Sequence, residues 1–152
     1  MDDRVPADRP SDSGHRAVPH TADTRLEAWS TTPEGCIAEA VRAMVEGFAD
    51  TSAADVVADR ECSVAAGTDE DLLYAVLEEV VSRMDIDGEV PRDVAVEPIR
   101  AAGGRRTATV RFRMVDAAAA APVGAVPKAV ALHGLHLEGS PGRWTCRVTV
   151  DV

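Results

Sequence analysis

The chain has 152 residues, a length for one domain, and is 45% hydrophobic but only 3% aromatic, so its core must be built from Ala, Val and Leu. Its 26 acidic and 16 basic residues leave a net charge of −10, which argues against a protein that neutralises nucleic-acid phosphates by itself. No run approaches the roughly 20 apolar residues of a membrane span, and the polar first residues lack a basic-then-apolar leader, so a cytoplasmic, membrane-free and DNA-free protein is expected.

Residues 1–17 are rich in Asp, Arg, Pro and Ser without periodicity, and read as a disordered tail ahead of a single domain over 18–152. His15 falls in that tail. Thr24 to Trp29 alternates, with Leu26 and Ala28 on one side and Arg25, Glu27 and Trp29 on the other, which predicts a strand. Thr31-Thr32-Pro33-Glu34 opens a helix, with Thr31 as the expected cap and Ile37, Val41, Met44, Val45 and Phe48 on its apolar stripe. A second strand is expected at about 60–66. Thr68 then caps a second helix whose first-turn acids suit the helix dipole and whose buried face runs Leu72, Leu73, Val76, Leu77, Val80, Met84.

Asp87-Gly88 turns the chain. Strands are expected at about 93–101 and 106–115 around the hairpin signal Gly103-Gly104. Residues 116–127 form an alanine-rich connector. Two last strands, about 129–137 and 143–151, join through Gly139-Ser140-Pro141-Gly142; in the final one Trp144, Cys146, Val148 and Val150 face in, and Arg147, Thr149 and Asp151 face out. Trp29 and Trp144 are expected in the core, where aromatics are scarce. The order predicts an α+β two-layer sandwich, an α/β protein in the broad sense, with two helices on a mainly antiparallel sheet.

The catalytic inventory is thin, and no catalytic residue is assigned. Glycine-rich phosphate loops, HExxH and GxSxG are all missing from the sequence. Cys36, Cys62 and Cys146 are odd in number and widely spaced, consistent with buried free thiols. His133 and His136 are three apart on a strand, so they point to opposite faces unless Gly134 introduces a bulge; His133 reads equally as a core histidine or a site residue. Carboxylates remain. Should the first and last strands be neighbours, Asp23, Asp151 and the α-carboxylate of Val152 would converge, and would repel one another without a cation. Lys128 is the only lysine.

Four phrases resemble the archease family. They are His20-Thr21-Ala22-Asp23, the stretch Lys128-Ala129-Val130-Ala131-Leu132-His133-Gly134-Leu135-His136-Leu137, the ending Trp144 to Val152, and the helix Glu70-Asp71-Leu72-Leu73 through Leu77-Glu78-Glu79. The likeness covers about residues 17–152. It departs at Thr24-Arg25, where small apolar residues are usual, and at Ala131, Val76 and Glu78, where the family often has threonine, tryptophan and asparagine.

The resemblance implies a divalent cation (Ca²⁺, or Mg²⁺/Mn²⁺) held by Asp23, Asp151 and Val152, with Lys128 functionally important; His20, which otherwise caps or orients the first strand, and His133 are further candidate partner residues. It implies a cofactor of the GTP-dependent RNA-splicing ligase, promoting transfer of GMP to the ligase histidine and repeated turnover in tRNA splicing and RNA repair. On that reading the protein is no enzyme, and it meets RNA only indirectly through the ligase. The alternatives are a small divalent-metal-dependent hydrolase, or a chaperone or modulator of another RNA-processing enzyme.

Overall fold

The structure is a computed structural model that describes residues 12–19 and 23–152. Its first sheet is built from strands at the two ends of the chain. β1 (Gly14–Pro19), β2 (Asp23–Ser30), β10 (Arg143–Asp151) and β9 (Ala129–Ser140) form an antiparallel sheet in the order β1-β2-β10-β9. Leu26, Ala28, Cys146, Val148 and Val150 are buried on its inner face, as the alternation requires. β1 is a departure from expectation, because Gly14 to Ala17 belong to a paired strand and not to a tail. Gly14 lies so close under the Trp29 ring that an added Cβ would overlap it, so the missing side chain lets β1 close against β2. Trp29 is therefore an outer-face residue, half-buried over β1, and not part of the core.

The helices sit as their periodicity predicts. α1 (Pro33–Glu46) buries Cys36, Ile37, Ala40, Val41, Met44 and Val45. Its cap is Thr32, one residue beyond the expected Thr31; Thr32 Oγ1 accepts from the Gly35 amide at 3.0 Å. Glu34 does not close a capping box. It instead accepts a 2.6 Å bond from the amide of Ile99, tying the helix start to the far sheet. α2 (Asp69–Asp87) is capped by Thr68, which accepts from Asp71 N at 3.1 Å, and stops at Gly88 with φ 66°, the left-handed conformation glycine adopts without strain. Met84 is only partly buried, and Val81 takes its place on the inner stripe.

A second antiparallel sheet has the order β4 (Val56–Ala66), β7 (Arg105–Asp116), β5 (Glu89–Val96), with β6 (Arg100–Ala102) also paired to β7. The tight turn between β6 and β7 is the Gly103-Gly104 pair, at φ 59° and 77°. α1 packs on β2, β10 and β5, and α2 on β9, β4, β5 and β7, so both helices touch both sheets and one core runs between them. The architecture is α+β with two helices on antiparallel strands, as expected, and the strands divide into two sheets.

The 116–127 connector is better anchored than its composition suggests. Asp116 caps a single 3₁₀ turn over Ala117–Ala119, Ala120 is buried, and β8 (Ala121–Pro122) pairs with β3 (Ala49–Asp50). The next amide, of Val123, donates to Phe48 O at 3.0 Å.

β9 contains the bulge that Gly134 made conceivable. Ala131 pairs with Thr149 and His136 with Arg147, so residues 132–135 stand opposite Val148 alone; Gly134 has φ 77°. The bulge resets the alternation. Val130 is buried before it, Leu135 and Leu137 after it, and Leu132 is left 61% exposed. His133 is exposed too, which removes the core reading of that histidine.

Candidate functional site

β2 and β10 pair without interruption to their shared end, where Asp23 stands directly opposite Asp151. Directly opposed residues project from the same face with Cβ atoms roughly 5 Å apart. Val150 is buried, so the alternation puts Asp151, and with it Asp23, on the outer face. Oδ1 of Asp23 is shielded from solvent, while Asp151 is exposed. Val152 borders a small hollow with Thr24, Leu26 and Val150, Ala125 and Pro127 of the connector, and Gly47 after α1. This leaves its carboxylate one residue beyond Asp151.

Lys128 joins this end through its backbone. Its amide donates to Asp151 O at 2.8 Å, and the next residue, Ala129, is the register partner of Asp151. The Lys128 side chain is exposed beside an open hollow of about 700 Å³ lined also by Glu78, Ser82 and Asp85 of α2. One row of strand pairing thus joins Asp23 and Asp151, while Lys128 reaches the row by its backbone alone and turns its side chain towards α2, away from the face of the carboxylates. His133 is not brought to them, because it sits in the bulge beyond the Ala131–Thr149 pair. His20 lies outside the described residues.

Among the described residues no three His, Cys, Asp or Glu side chains gather as a metal site. The carboxylate pair fits a hard divalent cation only with a further oxygen donor, and the Val152 carboxylate is the neighbouring candidate. The thiols offer no alternative. Cys36 is pushed well above the ordinary thiol range by its hydrogen bond with Cys146 and then by burial, and burial pushes Cys62 up to about 11.

Two glutamates hold the lysine-bearing strand, and sequence reasoning missed both. β9 is an edge strand, and α2 lies along it: Glu78 Oε2 accepts from Val130 N at 2.8 Å, and Glu70 Oε2 from Leu137 N at 3.2 Å. The bonds occupy edge amides that would otherwise be open to another strand. The signal was present, since Glu70 and Glu78 border the apolar stripe of α2 about two turns apart.

A family model, that of the Archease protein family (MTH1598/TM1083), matches residues 15–152. The chain belongs to the archease family. It is 46% identical over 149 residues to the "Probable protein archease" of Mycobacterium tuberculosis, covering 97% of this chain and 80% of that one. To the "Protein archease" of Methanopyrus kandleri it is 29% identical over 135 residues, covering 89% and 96%. The fold matches two solved structures. The solution structure of Methanobacterium thermoautotrophicum protein 1598 has a TM-score of 0.73 at 21% identity, covering 91% of this chain and 99% of that one. The crystal structure of a Thermotoga maritima protein described as an archease and possible chaperone has a TM-score of 0.57 at 20% identity, covering 90% and 96%. Among the described residues, no helix of this archease is long and apolar enough to cross a membrane.

Proposed function

We propose that this archease is a metal-binding accessory protein that activates a GTP-dependent RNA-splicing ligase, promoting ligase guanylylation and multiple turnover, with no reaction of its own. The observation that carries the reading is the facing pair Asp23 and Asp151, with Lys128 hydrogen-bonded through its backbone to Asp151. Two carboxylates opposed on adjacent strands repel, and that cost is offset when a cation sits between them. Asp23, Asp151 and the Val152 carboxylate would hold Ca²⁺, Mg²⁺ or Mn²⁺, all of which accept oxygen donors. Such an ion supplies neutralisation of charge on phosphoryl oxygens. Lys128 adds one mobile ammonium at the same end of the sheet, on the α2 side and not on the face of the carboxylates, suited to a phosphate or to an acidic group on the ligase. A chain of charge −10 is drawn to the basic mouth of an RNA enzyme in preference to free RNA.

The test is guanylylation and multiple-turnover joining by a cognate ligase, with the wild-type protein and with Asp23→Ala and Asp151→Ala. Stimulation that both folded variants lose supports the reading. No stimulation of a competent ligase defeats it and returns the question to the metal-dependent hydrolase or to a chaperone of another RNA-processing enzyme. Activity retained by both variants would favour the chaperone.

A further inference from the structure

The outer face of the β1-β2-β10-β9 sheet bears a line of arginines that the carboxylate pair does not explain. One row of pairing crosses all four strands as Arg16, Glu27, Arg147 and His136. Arg25 lies in the row between this one and the carboxylates, opposite Thr149, and β10 begins with Arg143. Arg16 is bonded to Glu27 at 2.7 Å, and its guanidinium lies 5.5 Å from the Trp29 ring centroid. Its other planar face is open, the side chain being 67% exposed.

Arg25, Arg143 and Arg147 are exposed, and among the described residues none of them has a carboxylate within ion-pair range. Among the other described arginines, Arg42, Arg60, Arg83, Arg106, Arg111 and Arg113 are each paired with a carboxylate and Arg92 donates to the Ala54 carbonyl, while Arg100 and Arg105, together on the β6–β7 turn, are also without a carboxylate. With 26 acids for 16 bases, anions are plentiful, so arginines left bare along one face point to an anion from outside. Of the acids on the face, Glu27 is held by Arg16, Glu138 flanks the track opposite Thr145, and Asp23 and Asp151 stand in the row beyond Arg25, none of them within ion-pair range of the three bare arginines. Alternate positions along β10 repeat at roughly 6.7 Å, a spacing that an extended single strand can match with successive phosphates. Thr145 and Thr149 add hydroxyls between the arginines.

We propose that this face binds the backbone of the single-stranded RNA end presented to the partner ligase, with Arg25 and Arg147 on neighbouring phosphates, Arg143 two phosphates further along, and the Arg16–Trp29 stack as a platform for a base. The identity of the polymer rests on the ligase reading, and the inference revises the expectation that RNA meets this protein only through the ligase. The overall negative charge opposes association, so binding by the free protein is weak and strongly salt-dependent.

The deciding experiment is a ¹⁵N NMR titration of the full chain with a short single-stranded oligoribonucleotide at low salt. Shifts are expected at Arg16, Arg25, Trp29, Arg143 and Arg147, fading as salt rises and in the Arg25→Glu/Arg147→Glu variant. The log–log salt slope should fall by about 0.7 for each phosphate that the variant no longer neutralises. In RNA joining, the same variant should raise KM for RNA roughly tenfold, with a smaller change in kcat, about 1.4 kcal/mol of binding. An Arg100→Glu/Arg105→Glu variant on the β6–β7 turn should change neither readout. Missing shifts, shifts on another face, or a response to a glutamate-rich peptide in place of RNA would overturn the proposal. So would a loss of RNA-independent guanylylation with KM unchanged, which would assign the face to the ligase protein. A wild-type protein that fails to stimulate the ligase defeats the ligase reading alone, because the titration decides the face separately.

Discussion

Asp23 and Asp151 are direct register partners at the open end of β2 and β10, so two carboxylates separated by nearly the whole sequence share one face of one sheet. Opposed like charges on neighbouring strands destabilise by roughly 0.2–1 kcal/mol. Asp151→Asn is therefore expected to raise metal-free stability slightly, shifting Tm by about 1–2 °C. With a saturating divalent cation the order reverses. Wild type gains about 2.7 kcal/mol at one hundred times the dissociation constant, and the variant gains little. Thermal unfolding with EDTA and then with Ca²⁺, Mg²⁺ or Mn²⁺ checks both halves, and parallel curves for the two proteins would contradict the metal assignment.

Much of this was legible because the inner faces obey simple periods. Leu26 and Ala28, the α1 stripe, Leu72 to Val80, and Cys146 to Val150 are all buried as their spacing predicts. The facing carboxylates could be named but not joined, since strand alternation says which face Asp151 takes and nothing about which strand lies beside it. β1 was hidden for a related reason. Gly14 to Ala17 have no apolar alternation to display, because the strand is held by backbone pairing and by Trp29 lying over Gly14. The anchoring of the connector comes from long-range pairing with residues 49 and 50, which local composition cannot report.

His15 turns that strand into a pH-sensitive contact. Nδ1 lies 2.6 Å from Glu39 and Nε2 2.7 Å from Glu46, both on α1, so the ring is held as an imidazolium between two carboxylates. Burial pulls its pKa down, but the hydrogen bonds to Glu46 and Glu39 outweigh it and the net shift is upward from 6.5. A raised folded-state pKa means the stabilisation is complete below about pH 6.5 and is lost as pH rises through the folded value. His15→Gln should cost on the order of 1 kcal/mol at pH 5.5, less than a fully buried pair because Glu46 is 64% exposed. The deficit should shrink towards pH 8.5. Denaturant unfolding of both proteins across that range measures it, and a pH-independent difference would contradict the contact.

Gly134 sets the bulge by its backbone, not by its packing. An added Cβ meets nothing within 4 Å, yet φ is 77°, where L-residues are strained. Gly134→Asn should therefore cost less than Gly134→Val, with the latter at about 1–2 kcal/mol. The ranking is specific, since a crowding effect would follow side-chain volume and would penalise Asn almost as heavily. Chemical denaturation of the three proteins gives the order.

Glu78 offers the most direct test of how the lysine is positioned. Its carboxylate receives the Val130 amide at 2.8 Å, two residues from Lys128, on the edge of the sheet where no strand can. Glu78→Ala removes that acceptor from a part-buried amide, at an expected cost of about 1–3 kcal/mol. The loss should be local first. Hydrogen exchange at Val130 should accelerate well before Thr149 or Val150 is affected, since those residues keep their strand neighbours on both sides. Glu78→Gln retains a carbonyl acceptor and should restore most of the protection. If ligase stimulation depends on Lys128 being held against Asp151, it should follow the same order, wild type above Gln above Ala, while Glu70→Ala at the far end of β9 should loosen Leu137 and leave Lys128 in place. Equal exchange at Val130 in all three proteins would show that the β10 pairing alone positions the lysine.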